Sequence, residues 1–166
     1  MLKIYIAKTN EDLEQVRILF QEYEDYLKDV LSEYLTLPWF VDYLKGFAKE
    51  VTNLPGEYAP PTGCLLLAKY KDEIAGCVAL RKLNNDICKG KRLYVRPEFR
   101  GLKIGRKLME SIIDEARRIG YSAIRGDTVP SMQAAQVLHL SLGFKEINPN
   151  HRDPIKEAKF IELKLE

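Results

Sequence analysis

"RLYVRPEFRGLKIGRKLMESI", Arg92 to Ile112, sets a strand-like run, a glycine-marked turn and a helix end to end. The turn and the first helical turn hold Arg96, Arg100, Lys103, Arg106 and Lys107, relieved only by Glu98. A helix start carries positive partial charge and unpaired backbone N–H groups, so cations gathered there are misplaced unless an anion joins them. Phosphate is the anion such a terminus suits. Gly101 and Gly105 let the backbone approach a ligand with no Cβ in the way. The stretch therefore predicts a bound phosphate or pyrophosphate, flanked by Arg100 and Arg106. The glycine spacing is not G-x-G-x-x-G, and no G-x-x-x-x-G-K-S/T occurs, so neither the dinucleotide fingerprint nor the P-loop applies.

Charge over the whole chain supports a local site. The net charge of +2 argues against a dedicated nucleic-acid binder. Residues 1–63 hold 6 Lys+Arg against 11 Asp+Glu, a net −5, whereas residues 81–107 hold 10 against 2, a net +8. Such a concentration reads either as a solvated basic face or as the seat of a compact anion. At 166 residues the chain suits a single domain, 1–166, with a real core. No apolar run is long enough for a bilayer, and "MLKIYIAKTN" lacks a signal-peptide pattern, so no membrane role and a cytoplasmic location are expected. Cys64, Cys77 and Cys88 have no metal-ligand spacing and read as reduced core thiols.

Outward from the opening stretch, periodicity supplies the elements. "LKIYIA" alternates as a first strand. Thr9 and Asp12 form a capping-box-like start for a helix with Leu13, Val16, Phe20, Tyr23 and Leu27 on one face. A second helix follows Pro38, and "NLPGEYAPPTG" is a loop. "CLLLAKY" and "EIAGCVALRKL" are strands joined at Lys71-Asp72, and "CKGKRLYV" is the next. Ile104, Leu108, Met109, Ile112, Ala116 and Ile119 hold a helical period closed by Gly120. "SAIRGDTV" is a strand, Pro130-Ser131 opens a last helix, and "AKFIELKLE" alternates. The expected order is β-α-α-β-β-β-α-β-α-β, a mixed α/β (α+β) sheet.

"LYVRPEFRGLKIGRKLM" resembles the acetyl-CoA pyrophosphate loop of the GNAT superfamily of N-acetyltransferases, whose pattern is Q/R-x-x-G-x-G/A. "DTVPSMQAAQVLHLSLGF" is similar to the family's following strand and helix. "LPGEYAPPTGCLLLA" and "EIAGCVALRKL" are similar to one bacterial branch of small members, so the likeness spans roughly 54–165. The resemblance implies a GNAT-like acyl-CoA N-acyltransferase fold with acetyl-CoA as co-substrate and no metal. It implies that Arg100, Gly101, Leu102, Lys103, Ile104, Gly105 and Arg106 cradle the pyrophosphate. It also implies that the strand at Leu93, Tyr94 and Val95 splays from "SAIRG" to pair with the pantetheine amides, with the Leu93 N–H as oxyanion donor.

Three positions depart from the family pattern. Lys103 stands at the usual first loop glycine. Because Gly101 and Gly105 remain, it is expected to need no positive φ and simply to add a phosphate contact. Lys89 stands where many members carry a glutamate base; with Lys91 on the same face it reads as solvated or phosphate-seeking. Asp86 and Glu57 are the nearest substitutes, and an amine that arrives neutral needs no base. His139 replaces the tyrosine that protonates the leaving thiolate, and reads either as a semi-buried histidine or as the acid or sulfur contact.

The reaction implied is acetyl transfer to a primary amine of a small molecule or peptide, by direct attack, with alignment and backbone donors supplying most of the acceleration. A non-catalytic acyl-CoA sensor is the rival reading, since both usual acid–base residues are missing. The resemblance implies that the acceptor meets the first two helices and the loop before the second strand, here 31–61, with Glu57 and Tyr58 as expected contacts. The segment mixes acids (Glu33, Asp42, Glu50, Glu57) with aromatics. Those acids suggest a cationic acceptor and Lys89 and Lys91 an acidic one, so the two cues conflict. Trp39 and Phe40 in "LPWFVDY" read as core or homodimer packing.

Overall fold

The computed structural model describes residues 1–129, 132–148 and 158–166. Strand β1 (Leu2–Ile6) leads into helix α1 (Asn10–Val30), then α2 (Pro38–Thr52). Three strands follow, β2 (Cys64–Tyr70), β3 (Glu73–Lys82) and β4 (Ile87–Val95), before α3 (Ile104–Ile119). The chain closes with β5 (Ala123–Thr128), α4 (Gln133–Ser141), β6 (Lys145–Ile147) and β7 (Lys159–Lys164).

Local chemistry accounts for most boundaries. Thr9 caps α1 in a complete capping box: the Asp12 N–H donates to Thr9 Oγ1 at 3.0 Å, and the Thr9 N–H donates to the Asp12 carboxylate at 3.2 Å. Pro38 occupies the first turn of α2, where its missing N–H costs nothing. Lys71 and Asp72 both take positive φ, 49° and 66°, the twist that a two-residue hairpin between β2 and β3 requires. Gly120 ends α3 at φ +110°.

The strands form one seven-stranded sheet in the order β1-β2-β3-β4-β5-β7-β6, parallel only between β4 and β5. That parallel pair is the crossover through α3. Among the described residues the expected six strands become seven. Strand β6 has three residues, too few to display alternation, and it is recognisable only by its pairing with β7. Pro130 and Ser131, expected to open the last helix, lie outside the described residues, as does His151.

Apolar residues sort onto the two faces of the sheet. On one, Ile104, Leu108, Ile112 and Ala116 of α3 pack against Leu66, Val78, Leu80 and Ile124. On the other, Val16, Leu19 and Phe20 of α1 and Phe47 and Val51 of α2 pack against Leu65, Leu67 and Ala79. The three cysteines are buried and free, with burial pushing the Cys64 and Cys88 thiols up to about 12. Among the described residues no helix is long and apolar enough to cross a membrane.

Candidate functional site

The site begins with a slip in the ladder. Between Cys77 and Ala79 the β3–β4 register shifts, and Arg92 adopts φ +62°. An extra residue on one strand makes a β-bulge. As a result Lys91, opposite Ala79, and Arg92, against Phe47, both face the α1–α2 side, while Leu93 and Val95 pack on the α3 side. On its other edge β4 pairs with β5 only at Ile87↔Ala123, Cys88↔Ile124 and Lys89↔Arg125. Beyond Lys89 the two strands part, and Leu93 has no register partner on either neighbour.

The parted strands open onto the start of α3. Gly101 takes φ +85° and Lys103, the N-cap, takes φ +62°. The expectation that Lys103 needs no positive φ is therefore wrong: this lysine carries left-handed strain of about 1–2 kcal/mol. Among the described residues no backbone N–H from Gly101 to Arg106 has a hydrogen-bond partner. Consecutive free donors at a helix N-terminus form an anion seat.

The cations around that seat divide by partner. Arg96 is held bidentately by Glu22, at 2.8 Å and 3.0 Å, and donates to the Ile74 carbonyl, so its charge ties β4 to α1. Arg100 donates to the Val95 carbonyl and lies over Tyr26. Arg106 donates to Ser141 Oγ at 2.8 Å, and Lys107 approaches Glu110 at 3.8 Å. Lys103 alone of the five has no ion pair or side-chain hydrogen bond among the described residues.

A cleft of about 980 Å³ joins the α3 start, the parted strands and the α1–α2 side. Tyr23, Tyr26, Trp39 and Tyr43 form walls, and Asp127 is the one carboxylate among the described residues lining it. Arg92 is almost fully buried, donating to Glu50 at 2.9 and 3.1 Å and to the Tyr43 hydroxyl, with its guanidinium 4.3 Å over the Phe47 ring. Burial alone would raise the Glu50 carboxyl, but the hydrogen bonds and charge of Arg92 hold it below the usual range. Burial and the neighbouring Arg92 pull the Lys91 ammonium down to about 8.

His139 reaches the same cleft from α4, edge-on to Phe144 at 5.2 Å, with Nδ1 buried and unpartnered among the described residues. Burial lowers its pKa, offset in part by Asp127. The unfolded ring, near its ordinary 6.5, thus takes up a proton before the folded ring does. Stability contributed by a neutral His139 is then complete above 6.5 and declines as the pH falls below it. His139→Phe is expected to flatten that decline in urea melts between about pH 7.5 and 5. An unchanged acid slope would show that the ring is not buried neutral.

The structure brings Leu93, Tyr94, Val95, Arg100, Gly101, Lys103, Ile104, Gly105, Arg106 and His139 to one cleft, with exposed Leu102 in the same loop. It does not bring Glu57 or Tyr58 there. Tyr58 is a core residue, edge-on to Phe20, and Glu57 is largely exposed, 3.8 Å from Arg81. Lys89 is spent on Asp127 at 2.9 Å, and Asp86 lies in the β3–β4 turn, away from the lining. Sequence reasoning missed Asp127 and the Glu50–Arg92 pair. The bulge did leave a trace: Cys88 and Leu93 serve the same core at odd spacing, a phase slip that an unbroken strand cannot show.

A family model described as Acetyltransferase (GNAT) family matches residues 17–144. An uncharacterized N-acetyltransferase of Schizosaccharomyces pombe is 32% identical over 99% of this chain and 95% of its own length. A GNAT-family acetyltransferase structure from Staphylococcus aureus superposes with TM-score 0.76 at 20% identity, covering 100% of both chains. A PaiA N-acetyltransferase of Thermoplasma acidophilum, in complex with coenzyme A, superposes with TM-score 0.74 at 17% identity, covering 99% of each.

Proposed function

The chain belongs to the GNAT family of acetyltransferases, and from that premise we propose that it moves an acetyl group from acetyl-CoA to a primary amine by direct attack. The observation that carries the reading is the row of N–H groups from Gly101 to Arg106, unpartnered among the described residues, beside strands that have parted. A diphosphate supplies the acceptors those donors lack, and a pantetheine arm supplies amides for the freed edges of β4 and β5. The coenzyme A bound by the Thermoplasma relative on the same fold supports that choice of donor.

In the transfer, the amine nitrogen bonds the acetyl carbon, the carbon–sulfur bond breaks, and coenzyme A leaves as its thiol while the amine loses a proton. The Leu93 N–H stabilises the oxyanion, and most of the rate comes from alignment. His139, kept neutral by burial, offers one N–H to the departing sulfur or to an ordered water. With Asp127 engaged by Lys89, no unpaired carboxylate lines the cleft among the described residues, so the amine arrives neutral or yields its proton to water.

Thiol release from acetyl-CoA across an amine panel tests this: a rate above the amine-free control is expected, and no rise with any amine rejects it. Lys103→Gly probes the donor site. Removing the strain is expected to raise stability by up to about 1 kcal/mol, net of glycine's entropy cost. Coenzyme A binding should weaken by about three- to fivefold at low salt and lose part of its salt dependence, measured by calorimetry.

A further inference from the structure

On the sheet face covered by α1 and α2, cations stand in direct cross-strand register. Arg81 lies opposite Lys89, and Lys89 opposite Arg125. Lys91 comes two residues further along β4, and Arg92 follows in the bulge. Like charges held this close repel, so each requires an anion. Four have one. Arg125 meets Glu162 at 2.7 Å, Lys89 meets Asp127 at 2.9 Å, Arg92 meets Glu50 at 2.9 Å, and Arg81 lies 3.8 Å from Glu57.

Lys91 has no such partner. It lines the cleft half-buried, and among the described residues it makes no ion pair or hydrogen bond. The carboxylate whose field reaches it, Glu50, is already held by Arg92. The cluster therefore lacks one negative charge, at a position open to ligand. We propose that the acceptor amine carries a carboxylate and that Lys91 binds it, an inference that rests on the acetyl-transfer reading above.

Two features narrow the acceptor further. The backbones of residues 91 and 93 lie within about 7 Å of each other, so one small molecule can place a carboxylate at Lys91 and an amine near the Leu93 N–H. An amino acid is the simplest acceptor that carries both groups. Tyr23, Trp39 and Tyr43 then wall the space left for its side chain. The case for a cationic acceptor also falls away, because Glu33, Asp42, Glu50 and Glu57 do not line this cleft.

Thiol-release rates with the standard amino acids and with their amides, at saturating acetyl-CoA, test the proposal. The wild type should favour the acids at least about tenfold in kcat/KM. Lys91→Met should collapse that preference toward unity by raising KM for the acids, and Lys91→Arg should keep most of it. Equal rates on acids and amides, or a preference that survives Lys91→Met, overturn it. Coenzyme A calorimetry on each variant separates two failures. Protein that binds coenzyme A yet accepts no amino acid refutes the carboxylate and leaves acetyl transfer standing, whereas protein that binds no coenzyme A refutes both.

Discussion

Gly105→Asp is expected to raise the dissociation constant for acetyl-CoA by about 10²–10³-fold while leaving the fold as stable as before or slightly more so. Gly105 is the second residue of α3, in the lining of the cleft and in the row of N–H groups unpartnered among the described residues, so a carboxylate there puts a like charge beside the proposed diphosphate. Two like charges about 4 Å apart repel by about 4 kcal/mol at an effective dielectric of 20. The fold pays no corresponding penalty. A Cβ at Gly105 lies 3.7 Å from Val95 Cγ2 and 3.9 Å from Leu138 Cδ2, ordinary contact distances. An acid in the first helical turn contributes about 0.3–1 kcal/mol, and replacing a helical glycine about 0.5–1 kcal/mol. Calorimetry and thermal melts on the same sample read the two effects, with Gly105→Asn as the neutral control. An unchanged dissociation constant places the diphosphate elsewhere.

Glu50→Ala is expected to cost about 3–5 kcal/mol, lowering the thermal midpoint by about 10 °C. Arg92 would remain buried at 6% side-chain exposure with only the Tyr43 hydroxyl and aromatic faces around it. Leaving a buried charge unpaired is far costlier than removing the pair, so Glu50→Leu with Arg92→Met should recover much of the loss. The paired replacement adds no backbone strain, since any side chain at position 92 bears the same φ of +62°. Denaturant melts of the single and double variants decide the matter. A loss below about 1 kcal/mol for Glu50→Ala would mean that water reaches the guanidinium. Acetyl transfer should fall as well, because Arg92 anchors the bulge in β4 beside the point where β4 parts from β5.

The exposed start of α3 was legible because it is local. Helix period, glycines and clustered cations between Arg96 and Lys107 all lie within a dozen positions, and α3 starts where they place it, at Ile104. Lys103 shows where local reading failed. Two flanking glycines suggested that the strain fell on them, yet Gly105 is helical and the left-handed turn falls on the lysine. Arg96 is a second instance: it belongs to the same cationic cluster in sequence, but Glu22, from α1, has claimed it. Glu57 and Tyr58 follow as acceptor contacts from the place of their loop in the resembled fold, which does not say which side of a turn faces a cleft.

What the chain order alone determined is every helix and every strand but β6, the capping of α1, the β2–β3 hairpin and the cationic, glycine-marked start of α3. Each depends on residues a few positions apart, where propensity and hydrogen bonding act directly. Tertiary structure decided which charges survive. Lys89, Arg92, Arg96 and Arg125 are neutralised by Asp127, Glu50, Glu22 and Glu162, and the nearest of these partners in sequence is 37 positions away. Pairing over such separations is set by sheet register and by the bulge at Arg92. For that reason only the folded molecule singles out Lys91 as the cation left to meet an acceptor.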